Sequence, residues 1–115
     1  MVNFKANHPQ EVRHEMRGGK GDVTITKVVS EGLCPNARMF ATITLPVGAS
    51  IGYHVHENET ELFCFVSGKG RVKDDENWVE VAAGDSMATF SGHGHAVENT
   101  GDEDLVLVAA IVKDK

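Results

Sequence analysis

Helical periodicity is missing from this chain. No segment of useful length keeps apolar residues three to four positions apart, which argues against a helical fold. Cysteine is scarce: Cys34 and Cys64 form no C-x-x-C pair, so the cysteine pairs of a zinc finger are missing, and an intracellular compartment would keep both thiols reduced. Basic residues are outnumbered, 11 against 17 acidic, and the formal charge of -6 excludes a protein built to neutralise a phosphate backbone. The one locally basic stretch, "VRHEMRGGK", is short and interrupted and reads as solvated surface. Long apolar runs are absent too. The longest, "LVLVAAIV" from Leu105 to Val112, is far too short to cross a bilayer, and the first twenty residues hold no apolar core of signal-peptide length. A cytoplasmic protein with reduced thiols and no membrane partner is the expectation. "SGKG" lacks the upstream glycine and the following Ser or Thr of a P-loop, and no G-x-S-x-G elbow exists.

What the chain does have is strands. Alternating or continuously apolar runs occur at "DVTITKVV", "RMFATITL", "YHVH", "ELFCFV", "GRVKD", "WVEV", "SMATF", "HAVEN" and "DLVLVAAIV", with turn-forming clusters between them. At 115 residues this predicts one core and an all-β antiparallel sandwich or barrel. Residues 1–22 carry no clear pattern and read as an N-terminal arm or lid, leaving 23–115 as the barrel domain. The last run is apolar on both faces, which predicts cover from the barrel on one side and from another sheet or a partner subunit on the other. Cys64, inside "ELFCFV", is expected to be a buried structural thiol.

Chemistry concentrates in "GYHVHENETELFCFVSGKG". On a strand, His54 and His56 project to one face and can meet one ion. Glu61 follows a short connection, so a returning strand brings its carboxylate back toward them. Glu57 and Glu59 fall in that connection and are expected to be solvated. Further on, "GHGHAVEN" supplies His93 and His95, again two apart. Either pair alone is weak evidence, but burying several titratable groups together is costly unless something neutralises them. A divalent metal does so.

These residues make the chain resemble the cupin superfamily. Its first motif is a glycine, five residues, H-x-H, three or four residues, a glutamate, six residues and a glycine; here stand Gly48, His54, His56, Glu61 and Gly68. The second is a glycine, five residues, P-x-G, two residues, a histidine, three residues and an asparagine; here stand Gly84, Gly92, His95 and Asn99, with Phe90 in place of the proline. That exchange is expected to loosen or re-aim the turn before Gly92. The resemblance runs from about Arg38 to Val112 and is that of a small single-domain bacterial cupin similar to one half of oxalate decarboxylase.

The resemblance implies a jelly-roll barrel and one divalent transition metal per chain on His54, His56, Glu61 and His95. Mn or Fe is favoured, and Zn, Ni, Co or Cu also suit such donors. It implies chemistry on a small organic acid, of decarboxylase, dioxygenase or isomerase type, with a non-catalytic metal-dependent binding or sensory module as the alternative. A homodimer is implied as well. His93, which the motif does not require, points inward beside His95 by parity and is the candidate acid–base group; an exposed turn histidine is the plain alternative. Tyr53 and Val55 have the opposite parity to the ligands and are expected to pack between the sheets. Met39, Ala41, Met87, Thr89, Val106, Val108 and Ala110 are candidate pocket liners.

Overall fold

The computed structural model describes residues 1–30 and 32–114. Ten strands carry the fold: β1 (Gln10–His14), β2 (Asp22–Lys27), β3 (Ala37–Leu45), β4 (Ser50–Val55), β5 (Glu59–Ser67), β6 (Lys69–Asp74), β7 (Asn77–Ala82), β8 (Ser86–Thr89), β9 (Gly94–Asn99) and β10 (Leu105–Lys113). They form two antiparallel sheets, β1-β2-β3-β10-β5-β8 and β4-β9-β6-β7, the double layer of a jelly roll. Nine of the ten coincide with the apolar runs. The tenth, β1, lies in the segment with no clear pattern: Gln10–His14 pairs with β2 as the edge strand of the larger sheet. Its burial pattern is almost wholly exposed, so edge pairing left no alternation in the sequence.

Alternation decides which face is core. In β10, Leu105, Leu107, Ala109 and Ile111 point inward and are buried, opposite Ile43, Leu45, Phe63 and Phe65 of the flanking strands. Each large side chain removed from water in this way stabilises the fold by roughly 1.5–3 kcal/mol. Val106, Val108 and Ala110, candidate liners by sequence, take the outer face instead. Beside them stand Phe40, Leu62 and Val66, all exposed, so the outside of the larger sheet carries an apolar surface. Cys64 also lies on that outer face and is exposed, not buried, because its neighbours Phe63 and Phe65 take the inward positions.

The motif glycines are backbone devices. Gly48, Gly68, Gly84 and Gly92 all have φ between 82° and 98°, a region that side chains rarely enter. Gly92 closes the turn in which His93 N–H donates to the Phe90 carbonyl at 3.0 Å. The turn is therefore hydrogen-bonded without the proline. Asn99 is also structural: its amide donates to the carbonyls of Leu45 and Glu103, both at 2.8 Å, and its oxygen accepts from Gly101 N–H at 2.9 Å.

Candidate metal centre

A break in register aims the first two histidines. In β4 and β9, Ile51 is paired with Val97 but His54 with His95, so β4 holds one extra residue between Ile51 and His54. Such a bulge flips the alternation. Ile51 faces the core, and beyond the extra residue His54 and His56 face it too. Tyr53 and Val55 are thrown outward, 46% and 48% exposed, onto a sheet face that no further layer covers. Parity correctly separates them from the ligands; the expectation that they pack between the sheets is overturned. Tyr53 lies across Gly94, where any Cβ would collide with its ring, and Lys73 Nζ sits 5.1 Å from the ring centre.

His54, Glu61 and His95 converge from strands β4, β5 and β9, and His56 from just beyond the end of β4. His56 Nε2 and His95 Nε2 are 3.1 Å apart, as are the Nε2 atoms of His95 and His54. Glu61 Oε1 lies 2.9 Å from His56 Nε2 and 3.0 Å from His95 Nε2. The opposite nitrogen of every ring is engaged. His54 Nδ1–H donates to the Gly52 carbonyl at 2.8 Å, His56 Nδ1–H to Glu59 Oε2 at 2.8 Å, and His95 Nδ1 meets the Thr89 hydroxyl at 2.8 Å. The carbonyl and carboxylate acceptors fix the tautomers of His54 and His56 and present their Nε2 lone pairs to a metal, while Thr89 holds the His95 ring in place. The donor set fits a divalent transition ion.

Electrostatics agree with that reading. Burial pushes His54 down to about 4, more than its bond to Gly52 raises it, with help from the neighbouring His95, His56 and Arg17. It is neutral at pH 7. Burial opposes the charge on Glu61, yet in the metal-free site hydrogen bonds from His56 and His95, made when a proton sits on Nε2, outweigh it and bring the carboxyl down to about 2. Bonding to Glu61 raises His56 above its ordinary 6.5, so a proton competes with any ion at that nitrogen.

The site opens into a cavity of about 50 Å³. Its walls are largely apolar, including Met16, Met39, Ile51 and Phe63, and two arginines, Arg17 and Arg38, line it as well. Arg38 grips both oxygens of Glu59 at 2.9 Å. Glu59 is thus neither solvated nor idle: its side chain is 15% exposed and bridges Arg38 to His56. The sequence held a signal for this, since Glu59 shares the parity of Glu61, but the strand begins earlier than the connection "HENET" suggested. Arg17, exposed as the reading of "VRHEMRGGK" as solvated surface expects, also lines the cavity.

His93 does not face the cavity. Strand β9 starts at Gly94, so parity with His95 does not extend back to it. Its Nδ1 binds Asp75 Oδ2 at 2.7 Å with the side chain 55% exposed, and its carbonyl accepts from His56 N–H at 3.1 Å. Of the other candidate liners, Met39 reaches the cavity, Met87 packs against the core, and Thr89 is buried beneath His95.

Residues 41–111 match the model of the cupin domain family, well over half of the chain. The chain belongs to the cupin family. Over 98 residues, covering 84% of this cupin and 81% of its relative, it is 43% identical to an oxalate-binding protein of Thermotoga maritima. A crystal structure from the same organism, described as a predicted oxalate decarboxylase, superposes with a TM-score of 0.93 at 38% identity, covering 98% and 99% of the two chains. A cupin protein from Bacteroides fragilis superposes with a TM-score of 0.64 at 25% identity over 70% of this chain and 68% of that one.

Proposed function

We propose that this cupin binds a small organic acid, an oxalate-like dicarboxylate foremost, at a divalent transition metal held by His54, His56, Glu61 and His95. One observation carries the reading: three imidazoles, each tied down through Nδ1, turn their Nε2 atoms and one carboxylate oxygen toward a single point at the base of a cavity of about 50 Å³. Three imidazoles and one carboxylate suit Mn or Fe, with Zn, Ni, Co and Cu as the further options. When bound, such an ion supplies a Lewis acid for a carboxylate oxygen. The chain does the rest: Glu59, Gly52 and Thr89 hold the rings, Phe63 stacks on His95 at 4.8 Å, and the apolar wall excludes water. The likeness to an oxalate-binding protein supports the ligand class.

Recognition is favoured over turnover. Among the described residues lining the cavity, Glu61 is the only carboxylate, and it belongs to the ligand set. No second acid stands free there to move a proton, and His93 is engaged with Asp75 outside. The test is calorimetry with oxalate on Mn-loaded and chelator-stripped protein, alongside an assay for carbon dioxide release and oxygen uptake. Binding that requires the metal, without turnover, is expected. Metal-independent binding, or none, would reject the ligand reading, and steady turnover would restore the decarboxylase or dioxygenase alternative.

The same proposal includes a homodimer. The exposed Phe40, Leu62 and Val66 on the outer sheet face support it, and light scattering giving a monomer mass at micromolar protein would reject it. Two free, exposed thiols, Cys34 and Cys64, suit a reducing, cytoplasmic setting.

A further inference from the structure

The loop between β1 and β2 is built in an unusual way. Glu15 and Arg17 are both left-handed, at φ 50° and 55°, followed by Gly18 at 82° and Gly21 at 72°. Arg17 is held there by its neighbours. Its carbonyl lies where a Cβ on Gly52 would stand, and a Cβ on Gly19 would collide with the Ser50 carbonyl. Lys20 N–H donates to Ser50 Oγ and Ser50 N–H to the Lys20 carbonyl, both at 2.9 Å. The loop is therefore sewn to β4 at the bulge that aims His54. Backbone strain in a bulky residue persists only where the surroundings impose it, and such strain clusters at ligand clamps.

The second observation is charge. Both arginines line the cavity, but Arg38 is neutralised by Glu59, whereas no ion pair is found for Arg17 among the described residues. With neutral imidazoles, a divalent ion and Glu61 leave one net positive charge in the site. Arg17 adds a second. A site of charge +2 matches a dianion, while one of +1 matches a monocarboxylate.

We infer that Arg17 is the residue that selects a dicarboxylate, taking the end of the acid that faces the mouth of the cavity while the other end lies over the histidines. This rests on the proposed binding of a small acid at the metal. Because the loop is fixed to β4, the Arg17 backbone is already in place at the cavity and only its exposed side chain is left to order on binding, which limits the cost. A guanidinium pairs with a carboxylate through two parallel hydrogen bonds, a geometry that lysine cannot reproduce.

The experiment compares wild type, Arg17→Gly and Arg17→Lys, all loaded with Mn, for metal content, melting temperature, and affinity for oxalate and for acetate. Arg17→Gly deletes the guanidinium where glycine relieves the backbone, so the fold is preserved. Its metal content and melting temperature are expected to match wild type. Oxalate affinity is expected to fall about tenfold or more while acetate affinity changes less than about threefold, with Arg17→Lys in between. Equal loss for both acids, unchanged oxalate binding, or loss of metal in Arg17→Gly would overturn the assignment while leaving the proposed binding intact. If wild type binds neither acid, the binding proposal falls and this inference with it.

Discussion

Glu59→Ala is the perturbation that separates this site from a mere cluster of histidines. Glu59 is no metal ligand, yet its carboxylate accepts three charge-assisted bonds: one from His56 Nδ1 at 2.8 Å and two from Arg38 at 2.9 Å. The Arg38 guanidinium holds its carboxyl below the usual range, with the bond from His56 acting in the same direction against burial. Removing the carboxylate leaves the Nδ1–H of a buried imidazole without its partner and frees the ring to turn. Losses of this kind cost about 10- to 100-fold in metal affinity, or roughly 1.4 to 2.7 kcal/mol. The assay is competition with a metal-binding dye for Mn and Zn, with Glu57→Ala as control because Glu57 is exposed and two positions away. Glu59→Ala is expected to weaken both metals at least tenfold and Glu57→Ala neither. Equal affinities for Glu59→Ala and wild type, within about twofold, would refute the claim that ring orientation is set from outside the ligand set.

Two further outcomes follow from the same geometry. His93→Ala should keep its metal and its acid affinity, because the imidazole faces Asp75 rather than the cavity; tenfold weaker oxalate binding in calorimetry would show that His93 reaches the ligand after all. The metal-free protein should lose stability as the medium is acidified. His54, depressed to about 4, contributes stability that is full above 6.5 and fades as pH falls through 4; Glu61, depressed to about 2, contributes above 4.5 and fades toward 2. His56, raised above 6.5, acts the other way, contributing below 6.5 and fading as pH rises through its folded value. Melting temperatures of chelator-stripped protein should therefore drop between pH 6.5 and 3, and a flat profile over that range would contradict these shifts.

Much of the site was legible because cupin ligands sit at short, fixed spacings on strands. His54 and His56 share a face by alternation alone, and Glu61 returns on the next strand. What escaped was whatever depended on register and layer. Alternation separates Tyr53 from His54 but cannot say that the far side of β4 is open to solvent. Nor can it reveal the bulge that puts Ile51 and His54 on one face, since one extra residue leaves no mark in composition. His93 failed for a related reason: alternation was extended across a turn where it has no meaning. Cys64 was misplaced because a strand apolar on both faces does not tell inside from outside, and Phe63 and Phe65 took the core. Arg17 and Glu59 were read as solvated because the contacts that place them, Arg17 with β4 and Glu59 with Arg38, are remote in sequence.

The most direct test of the central claim is metal content after stripping with chelator, reloading with Mn and dialysis, compared between wild type and His56→Ala, with circular dichroism confirming that both are folded. Four converging donors predict about one ion per wild-type chain and at least a tenfold loss in the variant; equal content in the two would contradict the assignment of His54, His56, Glu61 and His95 as the metal site.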